Sequence, residues 1–122
     1  MIYMDNAATT RLSGKVLEAM MPYLTEQYAN PAGTYSFTHA SNAAMEKARR
    51  QVAEVIGAKS AEIFFTSGGT ESDNWALKGA MHANEKKGRH LIISAIEHHA
   101  ILHSAKALER EGFDVTVLPV DA

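Results

Sequence analysis

The chain has 122 residues, 46% of them hydrophobic and 21% charged, with a formal net charge of -2 and no cysteine. That length and balance suit one globular domain with a core and argue against disorder. The small net charge provides no basic field for nucleic acid or an anionic membrane, and the missing cysteine excludes disulfides, thiolate metal sites and a cysteine nucleophile within these residues. No apolar run reaches membrane-spanning length, and Asp5 and Asn6 stand too early for a secretory leader, so the expected setting is the cytoplasm.

Residues 1–12 read as an extended arm: Met1 to Met4 are mostly apolar, and Asp5-Asn6-Ala7-Ala8-Thr9-Thr10 is small and turn-prone. The spacing of Val16, Met20, Tyr23 and Leu24 predicts a helix capped by Ser13, kinked at Pro22 and ending near Tyr28. Asn30-Pro31-Ala32-Gly33 marks a loop, with Tyr35 and Phe37 expected to pin it down. A second helix should bury Ala44, Ala48, Val52 and Val55 on one face and stop at Gly57.

From Ile63 the pattern alternates. It predicts a strand at Ile63–Phe65, a helix from Thr70 to about Glu85 stopped by Gly88, and a strand at Leu91–Ile96. A helix from His98 to Glu111 stopped by Gly112, and a strand at Phe113–Val120, complete the series. Strands alternating with helices indicate a parallel α/β sheet. Three strands make a small sheet, and a parallel sheet needs cover on both faces, so the expectation is an unfinished unit.

The chemistry centres on Phe64-Phe65-Thr66-Ser67-Gly68-Gly69-Thr70-Glu71-Ser72, read as strand, tight loop and helix. Free amides at a helix start beside two glycines suit an anion, most plausibly a phosphate, although glycines serving a turn alone would give the same pattern. The stretch is neither a dinucleotide fingerprint nor a P-loop. Ligands of an open parallel sheet gather at the carboxyl ends of its strands, which makes Thr70 and His98 expected neighbours. Thr70 offers a hydroxyl and an amide to an anion and also reads as the first residue of a capping box with Asp73, two roles that are compatible. His98, at a helix start, should favour its neutral form and present its ring to a planar ligand, or serve only as a cap. His99 and His103 have the spacing of a zinc pair with Glu97 nearby, but no third ligand is placed and no metal site is assigned. His39, His82 and His90 read as surface residues without companions, Trp75 and Met81 as packing, and Glu85-Lys86-Lys87 as a solvated helix end.

Asp5-Asn6-Ala7-Ala8-Thr9-Thr10, Asn30-Pro31-Ala32, Ile63 to Asn74 and Glu97-His98 together resemble the N-terminal third of a cysteine desulfurase. That family lies in the class V aminotransferase branch of the fold type I enzymes dependent on pyridoxal 5'-phosphate. The resemblance implies a partial fold of that type: an N-terminal arm, helix and loop over 1–40, then the start of a three-layer α/β cofactor-binding domain over 41–122. It implies that Gly69 and Thr70 hold the cofactor phosphate and that His98 stacks on its ring as a catalytic and cofactor-binding residue. The implied reaction removes sulfur from L-cysteine, giving L-alanine and a persulfide on an enzyme cysteine for iron-sulfur clusters and other sulfur-transfer pathways. The implied partners are a second copy in a homodimer, sulfur-acceptor proteins, and the remaining C-terminal portion or a second polypeptide. None of Lys15, Lys47, Lys59, Lys78, Lys86, Lys87 or Lys106 has the Ser-x-His-Lys context of the family's cofactor lysine, so this chain alone is expected to be catalytically incomplete. Gly33 to Ala40 departs from the family's serine-rich turn, which affects the substrate-side loop rather than the cofactor loop. Two other readings are a further class V enzyme, such as a selenocysteine lyase, and a non-catalytic assembly protein derived from the family.

Overall fold

The computed structural model describes residues 2–121. Their helices are α1 (Gly14–Thr25), α2 (Thr38–Ile56), α3 (Gly69–Ala83) and α4 (His99–Arg110). Their strands are β1 (His90–Ser94) and β2 (Asp114–Leu118), and Ser60–Glu62 forms a short 3-10 turn. The residues group into two compact units, one running up to Phe64 and the other from Phe65 onward. No helix among the described residues is long and apolar enough to cross a membrane.

In the first unit Ser13 caps α1 as expected, its hydroxyl accepting from the Val16 amide at 3.3 Å. The helix ends at Thr25, short of Tyr28, because the amides of Glu26 and Gln27 both turn back onto the Pro22 carbonyl, at 2.9 and 2.7 Å. None of its residues is buried, and Val16, Leu17, Met20, Met21, Tyr23 and Leu24 are all exposed. Thr38 opens α2 by donating its hydroxyl to the carbonyls of Gly33 and Tyr35, at 2.8 and 2.7 Å. The Ser41 hydroxyl donates to the Gln27 carbonyl at 2.9 Å. The buried residues of α2 are therefore Thr38, Ser41 and Ala53. Ala44 and Ala48 are half-buried, while Val52 and Val55 are exposed, so the apolar face read from the sequence is only partly covered. Tyr35 and Phe37 stack on each other at 5.6 Å and stay exposed, pinning the loop to itself.

The second unit is a β1–α4–β2 crossover with α3 against α4. The strands pair in parallel, from His90 opposite Asp114 to Ser94 opposite Leu118. Alternation places Leu91, Ile93, Val115 and Val117 on one face, where Ile93 is buried, and leaves Ile92 and Leu118 exposed on the other. Two strands form among the described residues, not three. Ile63 follows the 3-10 turn in an extended conformation, but 63–66 belong to no strand, because a strand exists only as part of a ladder and the sheet contains β1 and β2 alone. β1 and β2 are also shorter at their carboxyl ends than the apolar runs that predicted them.

Glycine ends two helices. Gly57 and Gly112 have φ of 69° and 88°. After α4 the Gly112 amide bonds the Glu109 carbonyl and the Phe113 amide bonds the Leu108 carbonyl, each at 3.0 Å, which is a Schellman motif. Leu108 and Phe113, the positions whose apolar contact accompanies such a motif, are both buried. Gly88 does not end α3; that helix stops at Ala83 and 84–87 form a turn. His82 and His90, read as lone surface residues, have partners: His82 Nε2 lies 3.0 Å from Glu111 Oε2, and His90 Nε2 lies 2.7 Å from Thr116 Oγ1.

Leu108 and Ser104 are the largest fully buried side chains, and the Ser104 hydroxyl has no hydrogen-bond partner among the described residues. Leu108→Ala should lower unfolding stability by about 2–5 kcal/mol. Ser104→Ala should leave it unchanged or raise it by about 1 kcal/mol, because it removes an unsatisfied buried hydroxyl. Urea unfolding of both variants checks the pair; a large loss for Ser104→Ala would show that the hydroxyl has a partner in solution.

Candidate functional site

The loop before α3 is held by side chains rather than by glycine geometry. Gly68 is fully extended, with φ 164° and ψ 178°, and a Cβ added at Gly68 or Gly69 would meet nothing within 4 Å. The Thr66 hydroxyl donates to the Gly68 carbonyl at 3.2 Å and lies 2.6 Å from the Ser72 hydroxyl. On the other side Glu71 Oε2 accepts from the Ser67 amide at 2.6 Å and from the Ser67 hydroxyl at 2.7 Å. The first helical bond runs from the Ser72 amide to the Gly68 carbonyl, so Gly68 is the N-cap and α3 starts at Gly69. The capping box expected between Thr70 and Asp73 does not form, since Thr70 already lies inside the first turn.

Three backbone N–H groups, of Gly69, Thr70 and Glu71, donate to no acceptor among the described residues, and the Thr70 hydroxyl is equally unengaged. These are the orphan donors of a helix start, where the dipole favours negative charge. The Ser67 amide bond, and after it the Ser67 hydroxyl bond, hold the Glu71 carboxyl below the ordinary glutamate value of 4.5. A lowered folded-state pKa means that this pairing contributes to stability above the ordinary glutamate value. The contribution is lost as pH falls through the lower folded-state value.

α3 and α4 bring Thr70 and His98 to one end of the unit. Their C-terminal ends meet where His82 pairs with Glu111 and the His82 ring stands edge-on to Phe113 at 5.3 Å. One turn in from their starts, Asp73 and Ile101 line one cavity of about 230 Å3, together with Leu77, Met81 and Leu91. The spans from Asp73 to His82 and from Ile101 to Glu111 are nearly equal, so the helices run side by side in the same direction. Thr70 and His98 each precede those cavity residues by about one turn, at the end where β1 delivers its carboxyl terminus.

His98 is the N-cap of α4, its Nδ1 accepting from the Ala100 amide at 3.1 Å. A ring nitrogen that accepts an N–H bond carries no proton, so the proton of the neutral ring sits on Nε2. The capping and ligand-facing readings of His98 are thus compatible, because the cap uses one nitrogen and leaves the other. The ring is exposed and lies at 89° to that of His99, with centroids 6.1 Å apart. His99 and His103 sit 5.7 Å apart on α4, and no group of three His, Cys, Asp or Glu among the described residues is placed to hold a metal.

Two contributors to the site were missed in the sequence. Glu71 was read only as part of the helix, although its i,i+4 spacing from Ser67 carried the signal. Trp75 was read as packing, but it is 54% exposed and, with Ser67, Thr70, Asn74 and Lys78, lines a groove of about 510 Å3 running from the loop along α3. Met81 does pack, at the cavity between the helices.

Comparison with known proteins extends this geometry. The family described as Aminotransferase class-V matches residues 2–122. The chain is 54% identical over 120 residues to cysteine desulfurase IscS of Methanosarcina thermophila, covering 98% of this chain and 30% of that protein. Among solved structures it is similar to a NifS-like protein, with a TM-score of 0.90 and 46% identity over 98% of this chain and 33% of the other. It is also similar to SspA in complex with cysteine, with a TM-score of 0.86 and 40% identity over 95% of this chain and 33% of the other. The chain thus spans about 30% of the length of the curated relatives it matches. With the match running along nearly its whole length and the partial α/β fold shared with NifS-like enzymes, the chain belongs to the class-V aminotransferase family.

Proposed function

We propose that this chain is the N-terminal part of a cytoplasmic, homodimeric cysteine desulfurase dependent on pyridoxal 5'-phosphate, contributing the phosphate loop and the ring-facing histidine. The observation that carries the reading is the set of unengaged donors at the start of α3, on the same end of the unit as His98. The donor set fits a phosphate: three amides and a hydroxyl converge on a helix N-terminus, and the space beside Gly68 and Gly69 is open. The carboxylate nearest the loop is already turned onto Ser67. When bound, pyridoxal phosphate supplies the electron sink for the reaction.

In this reading the Gly69 and Thr70 amides and the Thr70 hydroxyl would hold the phosphate. The His98 imidazole, oriented by its Nδ1 bond to Ala100, would face the ring and carry a proton on Nε2. The whole protein takes sulfur from L-cysteine, leaving L-alanine and a persulfide on an enzyme cysteine that serves acceptor proteins. The curated relatives are named for this activity, and the structural relative bound to cysteine supports the choice of substrate. This chain holds no cysteine, and none of its lysines has the family's Ser-x-His-Lys context, so the reading assigns the sulfur acceptor and cofactor lysine to other residues of the complete protein.

Thr70→Ala should weaken pyridoxal-phosphate binding about tenfold, the value of one hydrogen bond to a charged group, while shifting unfolding stability by less than about 0.5 kcal/mol. Titration of the cofactor against both forms checks this, and equal affinity would remove the phosphate assignment. Borohydride treatment of the chain with pyridoxal phosphate should label no single lysine stoichiometrically. Selective labelling of one lysine would contradict the assignment of the cofactor lysine elsewhere.

A further inference from the structure

We propose that Glu71 is a positioning residue for the anion loop: by holding Ser67 on its own side, it sets the Gly69 and Thr70 donors on the other. The inference rests on the phosphate reading of that loop and adds to it a residue and a way of acting. A carboxylate one turn into a helix whose start is to receive an anion should repel that anion, so its presence there needs a physical reason. The geometry provides one. A single oxygen, Oε2, takes both the N–H and the O–H of Ser67, at 2.6 and 2.7 Å. Both Ser67 donors are thereby withdrawn from the ligand side, and the charge that would repel a phosphate is occupied by two hydrogen bonds.

The rest of the loop shows why such a tie is needed. Gly68 is extended, and neither it nor Gly69 is in van der Waals contact at the position of a Cβ, so neither backbone geometry nor packing there restrains the turn. The loop is restrained by the Ser72 amide on the Gly68 carbonyl, by the Thr66 hydroxyl with Gly68 and Ser72, and by Glu71 with Ser67. A further side-chain hydrogen bond at the start of the helix, from Asn74 Nδ2 to the Thr70 carbonyl at 2.9 Å, acts inside α3 and does not reach the loop. Glu71 is exposed, and Lys78 is the other charged residue lining the same groove. Removing the carboxylate has two opposite consequences for a bound anion, relief of repulsion and loss of the preformed loop. The proposal commits to the second as the larger, since an organised donor set binds without the ordering that a loose loop must undergo.

The test uses the 122-residue chain with Glu71→Ala, Glu71→Gln and Ser67→Ala, read in two ways. Without ligand, amide hydrogen exchange at Ser67, whose N–H is held by Glu71, should quicken at least about tenfold in Glu71→Ala, with circular dichroism unchanged. Glu71→Gln, which keeps an acceptor oxygen, should restore most of the protection. Unchanged exchange in Glu71→Ala would overturn the proposal whatever the loop binds. With ligand, pyridoxal phosphate and inorganic phosphate should bind about tenfold more weakly to Glu71→Ala and to Ser67→Ala than to the parent chain. Tighter binding by Glu71→Ala would show that repulsion dominates and would also overturn it. If the parent chain binds neither probe while exchange responds as expected, the phosphate reading fails and the tie between Glu71 and Ser67 stands.

Discussion

The end of the second unit that carries Thr70 and His98 is organised from its opposite end, where Leu108 and Phe113 are both buried at the Schellman turn that closes α4. The Arg89 guanidinium lies 4.4 Å over the Phe113 ring, and its nitrogens bond the carbonyls of Glu111 and Gly112, at 3.3 and 3.4 Å, and the Glu85 carboxylate. The edge of His82 meets the same ring from α3. One aromatic side chain thus joins the end of α3, the entry to β1 and the exit of α4. Since both helices are anchored there and run the same way, their starts fall together, and Thr70 and His98 share an end without touching one another in sequence.

The division of labour at that end follows from the hydrogen bonds. The helix α3 presents donors it cannot use itself, while the side chains of Thr66, Ser67, Glu71 and Ser72 are spent on one another. His98 divides its two ring nitrogens in the same way, one to the backbone and one outward. Each element therefore satisfies its own structural need with one set of atoms and leaves a second set free for chemistry. That separation leaves one ring nitrogen of His98 outside the cap, so capping does not use up the side chain.

Much apolar surface stays exposed in both units. Leu24, Val55, Ile92, Ile96 and Leu118 are each half or more accessible, and α1 buries none of its residues. Single exposed apolar residues are ordinary, but an entire helix face and one face of a parallel sheet are not. The two-stranded sheet has the same origin: Ile63 to Phe65 has the composition of a strand but lacks a ladder alongside it. The chain spans about a third of the length of the relatives it matches.

The sequence by itself determined the helix limits that depend on local chemistry: the Ser13 cap, the Gly57 and Gly112 stops, and the helix starting just after Gly68. These are governed by atoms within a few residues of each other. It also determined the family, because the Thr66 to Asn74 run and Glu97-His98 are distinctive as residues and spacing. Only the tertiary structure decided that Val52 and Val55 lie exposed, that Ile63 to Phe65 forms no strand, and that His82 and His90 have partners. Each of those outcomes depends on groups more than twenty residues away or on the presence of a neighbouring strand. Glu71 lies between the two: its spacing from Ser67 was visible in the chain, but that one oxygen takes both the amide and the hydroxyl of Ser67 is seen only in the structure.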